Sequence, residues 1–503
     1  MAVLTLAFLG NILTILFLLF GIFYLYAKYR LSYWNRRGVP SPPASVIFGN
    51  FKDAILLQTS PNNILAELYT CAKDAPYIGF YVLHKPCLLI KSPELLKAVL
   101  IKDFDIFADR QFSGRAKRDV VGTQNLFSMN VPEWKYARSK LSPALTSGKL
   151  KKMIPLMIET AKVMLEYIEA QPTDKNFLKH MNIRDTCSKY TTDIISSLAF
   201  GVQTNSFQSP EPEFRTNGEL RGLLNLFVVL FFPELSDILR TSMLGETEKF
   251  FRDVFWNSVN MREKSGVKRG DLIDSLIQLK NEEQNPDFKF SGDSLFAHSA
   301  LFFIAGHETS AITMAFTLLE LAKQPEIQKK AHRDIKEQFE KYGLTQEAFQ
   351  EMKYLNQVVS ETLRIYPPAP LLDRIALKDY QIPGSDIIIE KGTSIYVPLF
   401  GLHADPKYFP EPSKYDPDRF SDERKNSIPS MTYMPFGEGP RFCIGQRIGL
   451  LQTMIGLSMI LSEYEVSLDP AFENSVDERA FFLKPLNGIR LLLKKITTKN
   501  LDS

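Results

Sequence analysis

One cysteine stands in a setting that suits metal ligation. Cys443 lies in the run Phe436-Gly437-Glu438-Gly439-Pro440-Arg441-Phe442-Cys443-Ile444-Gly445. The run fits F-x-x-G-x-R-x-C-x-G, a pattern that chance would supply in a chain this long on the order of 1 in 10,000 times. A thiolate is a soft ligand and a good one for iron. A free thiol has a pKa of about 8.5, so the thiolate needs help. The glycines let backbone N–H groups turn toward the sulfur. A helix expected from about Ile444 to Ser462 puts its positive end beside Cys443. Taken alone, a cysteine in a glycine turn also reads as an inert buried thiol.

A second constellation is Ala305-Gly306-His307-Glu308-Thr309-Ser310. Ala305 and Gly306 lack bulk, so a ligand can approach the backbone there. Thr309 follows Ala305 by one helical turn and can bond back to its carbonyl, opening the helix locally. Without other context, such a hydroxyl simply satisfies itself. His307-Glu308 begins like H-E-x-x-H, but the fifth residue is Ala311, which excludes that zinc site. His307 is expected to pack or hydrogen-bond rather than ligate. A third group is Glu361-Thr362-Leu363-Arg364 with Pro417-Asp418-Arg419-Phe420. Glu361 and Arg364 share a helix face, which by itself describes a surface ion pair. A fourth is Trp134-Lys135-Tyr136-Ala137-Arg138, where Trp134 and Arg138 sit one turn apart and can reach one ligand.

These residues need positioning elements. The pattern from a cap at Ser291 to Lys323 predicts a helix of about 31 residues, roughly 46 Å long. Leu295 to Leu321 is apolar on nearly every face, so this helix should be buried. A buried acid and histidine inside it then need a reason. Helical patterns dominate from Val131 to Met352. Strands are expected at Tyr77–Val82 with Cys87–Ile90 as a hairpin, at Ile387–Ile389, at Thr393–Val397 and at Ile489–Leu493. The run containing Phe48 and Ile55 to Leu57 is ambiguous. Leu223 to Leu235 is apolar but short, and reads as a core or surface-dipping segment.

Val3 to Ala27 carries no charge and is rich in Leu, Ile and Phe. As a helix it is roughly 37 Å long, enough to cross a hydrocarbon core of about 30 Å. Its neutral start, its length and the bulky Tyr24-Leu25-Tyr26 end favour an uncleaved anchor over a signal peptide. Lys28, Arg30, Arg36 and Arg37 follow, with no acid among the first 37 residues. By the positive-inside rule the rest of the chain faces the cytosol. Tyr24, Tyr26, Tyr29, Tyr33 and Trp34 suit the membrane interface. Val39-Pro40-Ser41-Pro42-Pro43 predicts an extended spacer.

Among 503 residues, 60 are basic and 57 acidic, so the net is +3. The first 37 supply +4, which leaves the remainder nearly neutral and no nucleic-acid binder. Ordinary apolar, Gly and Pro contents exclude collagen-like and disordered readings. Four scattered cysteines with no C-x-x-C pair argue against a disulfide scaffold or a structural zinc. The length prior of about three domains yields to one large domain, because no repeat, linker or composition break follows residue 45.

The Cys443 loop resembles the cysteine-ligand loop of the haem-thiolate monooxygenases, the cytochrome P-450 superfamily of microsomal type. The resemblance runs from Pro40 to about Leu493. The loop, with Leu141-Ser142-Pro143 and Thr146-Ser147-Gly148-Lys149-Leu150, is most similar to insect family-six members. It implies a mainly α fold with small β-sheets, a single large domain behind an N-terminal transmembrane helix. The divisions are a signal anchor at 3–27, a basic, proline-rich linker at 28–45 and a catalytic domain at 46–503.

It implies haem b held by the Cys443 thiolate and packed by Phe436. Arg110, Trp134, Arg138, Arg374 and Arg441 are assigned to its propionates, since arginine makes charge-assisted bonds to carboxylates. Ala305 and Gly306 form the notch for dioxygen and water, and Glu308 and Thr309 carry protons to the oxygen held there. Glu361, Arg364 and Arg419 form a buried charge network on the cysteine side. Asp418 stands where the family often has Glu, at a non-core position. By position, Phe127, Leu301, Phe302, Ile304, Ala305, Ala369, Leu371 and Phe482 face a lipophilic substrate, or else are ordinary core.

Gly437-x-Gly439 lacks a third glycine in register, and Ser147-Gly148-Lys149 completes no P-loop. Electrons must then come from another protein. The resemblance implies NADPH–cytochrome P-450 reductase, which uses NADPH on this chain's behalf, with cytochrome b5 as a second donor. The setting it implies is the endoplasmic reticulum membrane. Lys135, Lys140, Lys149, Lys151, Lys152 and Arg447 are candidates for a basic docking patch. The implied reaction is insertion of one atom of dioxygen into a xenobiotic, plant allelochemical, insecticide or endogenous lipid or hormone. Two rivals remain: a haem-thiolate isomerase or dehydratase, and a non-catalytic haem sensor. Retention of Glu308-Thr309 argues against both.

Overall fold

The computed structural model describes residues 2–71, 74–111, 119–208, 238, 242–282, 288–472, 477–480, 483 and 485–496. Phe482 and the Leu223 to Leu235 segment lie outside them. The chain divides into two compact units whose segments alternate along the sequence. The first takes Met1–Phe107, Leu371–Leu402 and Glu478–Phe481, and the second takes Ala108–Pro370, His403–Asp477 and Phe482–Ser503.

The first unit begins with a helix, Ala2–Leu31. Its large apolar side chains from Leu13 to Leu25 are exposed, Phe17 by 77 %. Such a surface suits lipid rather than water. The helix outlasts the expected end at Ala27, and a 3-10 turn at Asn35–Arg37 follows. Tyr33 and Trp34 are therefore not interfacial. Both are buried, and Trp34 Nε1 donates to Phe80 O at 3.2 Å. Burial of a ring with a satisfied N–H outweighs exposure at a membrane surface. Tyr24, Tyr26 and Tyr29 stay exposed as expected. The unit's main sheet joins β1 (Tyr77–Val82), β2 (Lys85–Ile90), β7 (Ser394–Pro398) and β4 (Leu371–Ile375) in the order β1-β2-β7-β4. β5 (Tyr380–Gln381) pairs with β6 (Ile388–Ile389). The ambiguous run at 48–57 holds a short helix, Lys52–Ile55.

The second unit is helical around one central helix, Asp293–Lys323, packed most extensively against Ile183–Phe200. Its N-cap is Gly292, and no side chain caps it, so Ser291 does not play the expected part. The helix Gln446–Glu463 also packs on it. β3 (Leu178–Asn182), β8 (Tyr464–Leu468) and β9 (Arg490–Lys495) form a separate sheet with β9 in the middle. The expected last strand and cysteine-following helix thus form within two residues of their predicted starts. The expectation of a mainly α fold with small β-sheets holds.

Three buried histidines of this unit stay neutral. Burial pushes the pKa of His298 and His403 down to about 3 and that of His332 to about 4. An unfolded histidine binds a proton below about pH 6.5. The unfolded state therefore takes up more protons as pH falls through that value, and stability falls with it. Chemical denaturation should show loss of stability beginning near pH 6.5, above the carboxylate range. A flat profile from pH 7 to 5 would contradict these three burials.

Candidate active site

The cysteine loop folds as its glycines demand. Gly437 and Gly439 have φ of 73° and 75°, a backbone region that side chains disfavour. The loop closes through Cys443 N donating to Phe436 O at 2.8 Å and Gly437 N to Met434 O at 2.9 Å. A backbone N–H from Gly445 and the guanidiniums of Arg138 and Arg110 favour the thiolate, while desolvation by the surrounding protein is the larger effect and holds the thiol above its ordinary value, although the residue keeps an exposed face. A cation bound at the sulfur would favour the thiolate further.

Behind the loop lies the Glu361 network. Arg364 donates to both Glu361 oxygens, Nε to Oε2 at 2.7 Å and Nη2 to Oε1 at 2.8 Å. It also donates to the carbonyls of His403 and Pro412, each at 2.8 Å. Arg419 Nε lies 3.4 Å from Glu361 Oε1. Glu361 is wholly buried. This is no surface pair. Sequence reading missed His403, which carries the network to the loop. Its Nδ1 meets Arg364 O at 3.1 Å and its Nε2 accepts from Met434 N at 3.1 Å. Met434 is two residues from Phe436, so the network ends at the cysteine loop. A histidine with no motif around it offered no signal.

On the central helix, Thr309 Oγ1 donates to Ala305 O at 2.6 Å, the back-bond its spacing predicts. The helix is buried from Ser294 to Ala300 and again from Ser310 to Ala322. Between these stretches Leu301, Phe302, Ile304, Ala305 and Thr309 are partly or fully open. Half-buried apolar side chains around an exposed Ala305, with buried turns on both sides, leave one accessible apolar face in mid-helix. Gly306 does not open toward it. A Cβ there would stand 2.8 Å from Ile195 Cδ1, so its smallness serves packing on Ile183–Phe200. His307 is buried, stacked on Phe303 with Nδ1 3.0 Å from Phe303 O, as expected of a packing residue. The Glu308 carboxylate is held by the Arg184 guanidinium from the neighbouring helix. Sequence reading missed Arg184, because its partner lies 124 positions away.

The five propionate candidates divide. Arg441 is buried, and it donates to Ala108 O at 2.5 Å and Met129 O at 2.7 Å, with Asp109 Oδ1 at 3.5 Å. Its guanidinium lies over the Trp134 ring at 4.3 Å. Arg441 thus staples residues 108–129 to the cysteine loop, and its five N–H donors leave room for a further anion beside these carbonyls. Arg138 lies over the Phe442 ring at 4.8 Å, and Arg110 over the Phe127 ring at 4.3 Å. Both are half-buried. Burial lowers the Arg138 pKa while Cys443 raises it, so a second nearby anion would be welcome. Arg374 and Leu371 belong to β4 of the first unit, both buried. Ala369 and Phe127 are half-buried in the second. The basic patch is partly spent: Lys140 pairs with Glu282, Lys149 donates to Ser275 and Arg447 to Ser147.

The residues present fit a haem. An exposed cysteine stands on one element, an open apolar helix face on another, and two half-buried arginines lie electrostatically near the sulfur. Comparison with known proteins agrees. The cytochrome P450 family profile matches residues 39–492. Cytochrome P450 6k1 of Blattella germanica is 41% identical over 505 residues, covering 95% of each chain. Probable cytochrome P450 6g2 of Drosophila melanogaster is 36% identical, covering 94% of this chain and 96% of that one. Cytochrome P450 6a2 of the same fly is 36% identical, covering 94% and 97%. With its thiolate loop, its buried Glu361–Arg364 network and its notched central helix, this chain belongs to the cytochrome P450 family and groups with the insect family-six members.

Proposed function

We propose that this chain inserts one atom of dioxygen into a lipophilic small molecule, with electrons from NADPH delivered by NADPH–cytochrome P450 reductase and cytochrome b5 as a second donor. The family is one of monooxygenases. The observation that carries the finer reading is the open face of the central helix, where Ala305 and Thr309 break an otherwise buried element. Haem b, when bound through the Cys443 thiolate, supplies the oxygen activation. Arg110, Trp134, Arg138, Arg374 and Arg441 are the candidates to hold its propionates, and the electrostatic closeness of Arg138 and Arg110 to Cys443 supports those two. Leu301, Phe302, Ile304 and Phe127 favour an apolar ligand and exclude water.

Thr309 keeps the Ala305 carbonyl occupied, so the hydroxyl oxygen remains an acceptor on the open face. Glu308 is the nearest acid along the chain, and Arg184 orients its carboxylate. For proton delivery Arg184 must release the Glu308 carboxylate, which then takes a proton from solvent and passes it on through the Thr309 hydroxyl, returning to its ionised form. The long exposed apolar helix at the N-terminus supports residence in the endoplasmic reticulum membrane, with the body on the cytosolic side. The substrate class spans plant allelochemicals, insecticides and endogenous lipids or hormones.

The test is reconstitution of the full chain with reductase and NADPH, scored for oxygenated product. Product formed without NADPH or dioxygen would favour the isomerase or dehydratase reading. In the same assay Thr309→Ala should lower product per NADPH about tenfold, with the electrons appearing as hydrogen peroxide. Unchanged product per NADPH would show that Thr309 does not manage protons.

A further inference from the structure

The helix Gln446–Glu463 starts three residues after Cys443, and its second turn carries a buried amide. Gln452 Nε2 donates to Gly306 O at 2.9 Å and to Ser310 Oγ at 2.6 Å. Both hydrogens of one amide are thus spent on the two ends of a single turn of the central helix. That turn carries Glu308 and Thr309. The Gly306 carbonyl is the acceptor that an α-helix would give to Ser310 N alone. Here it faces a second donor, while the preceding carbonyl, of Ala305, takes the Thr309 hydroxyl. Two successive carbonyls of the notch therefore bond to side chains, one from the helix itself and one from the cysteine side.

The backbone that carries the amide is itself anchored. Tyr190 OH donates to the main-chain carbonyl of Gln452 at 3.1 Å. A Cβ on Gly449 would lie 3.7 Å from Ser310 Oγ, and one on Gly456 would clash with Met314 and Tyr190, so the helices meet closely here. The amide's orientation follows from its partners, since the flipped form would set Oε1 against the Gly306 carbonyl. In the orientation seen, Oε1 is buried without a hydrogen-bond partner among the described residues. An unmet buried acceptor is costly, and its retention indicates that the two donated bonds matter more.

We propose that Gln452 is a positioning residue that couples the helix following the cysteine loop to the oxygen notch, holding the Gly306–Ser310 turn so that Thr309 presents its hydroxyl at a set distance from the Cys443 loop. The inference rests on the monooxygenase reading above. Gln452 touches neither substrate nor cofactor. It acts through the backbone of Gly306 and the hydroxyl of Ser310, and its loss should disturb proton delivery while leaving the thiolate intact.

The experiment uses the full-length holoprotein with reductase, NADPH and 7-ethoxycoumarin as a lipophilic probe. Gln452→Leu removes both donors, and Gln452→Glu keeps the volume while replacing the amide donor. Each should retain the thiolate-type carbon monoxide band. Each should lower product per NADPH about fivefold, the scale of one net hydrogen bond, with matching peroxide. The C–O stretch of the reduced carbonyl complex should shift or broaden as the notch loosens. If Gln452→Leu does not fold, Ser310→Ala removes one of the two acceptors and should give a smaller change of the same kind. Variants that melt earlier yet keep wild-type product per NADPH and an unmoved C–O stretch would overturn the proposal, leaving Gln452 a packing residue. A wild-type protein with no thiolate band would overturn the monooxygenase reading and this inference together.

Discussion

Replacing Cys443 by alanine should abolish the thiolate-type band in the carbon monoxide difference spectrum of the reduced protein, and with it the proposed NADPH-dependent oxygenation. No other cysteine can stand in. Cys87 and Cys187 are fully buried, and burial raises both thiols, Cys87 to about 12. Cys71 is exposed but belongs to the helix Pro61–Cys71 of the first unit. Cys443 alone combines an exposed position with a closed glycine loop, an approaching N–H and two guanidiniums. A cation bound at this sulfur would favour its thiolate. The body should survive the change, because Cys443 N, not its sulfur, closes the loop onto Phe436. Circular dichroism should therefore match wild type while the band disappears. A persisting band would show that the ligand lies elsewhere.

The second large effect falls on Arg364. Arg364→Ala leaves the buried Glu361 with Arg419 at 3.4 Å and the Asp416 N–H at 3.0 Å, and strips donors from the carbonyls of His403, Pro412 and Lys414. Breaking one side of such a buried pair costs about 3–5 kcal/mol, a large share of a typical domain's stability. We expect little folded holoprotein on expression. Arg364→Lys should rescue poorly, since an ammonium cannot span both Glu361 oxygens and three carbonyls at once. Haem content per polypeptide and the urea midpoint check both variants. A lysine variant with a wild-type midpoint would show that charge alone suffices and that the bidentate geometry is dispensable.

Much of this site was readable along the chain because its parts are local. Phe436 to Gly445 is a contiguous loop whose glycines are required by positive φ. Thr309 reaches Ala305 within one turn, so spacing predicted the bond that forms. The length and apolar surround of the 293–323 helix followed from periodicity and from the absence of charge. The hairpin of Tyr77–Val82 with Cys87–Ile90 was legible as two short apolar runs, and the second strand starts two residues earlier, at Lys85.

What escaped was contact between distant segments. Arg184 meets Glu308, Gln452 meets Gly306, and His403 bridges Arg364 and Met434. None of the three carries a local pattern, because its partner comes from another element. The same limit hid three further contacts. A Cβ on Gly306 would meet Ile195, so this glycine also serves packing. Arg441 donates to the carbonyls of Ala108 and Met129. Trp34, expected at the membrane interface, is buried with its N–H on Phe80 O.

The sequence by itself determined which residue can carry the metal, which helix must be buried and which end of the chain can enter a membrane. Those are questions of residue type and short-range spacing, and backbone geometry answers them within a few residues. Only the tertiary structure decided what each polar group is bonded to. A buried donor must be satisfied by whatever the fold brings within about 3 Å. That choice turned a surface-type Glu–Arg pair into a buried network, an exposed-looking glycine into a packing contact, and an unremarked glutamine into the link between the cysteine side and the notch.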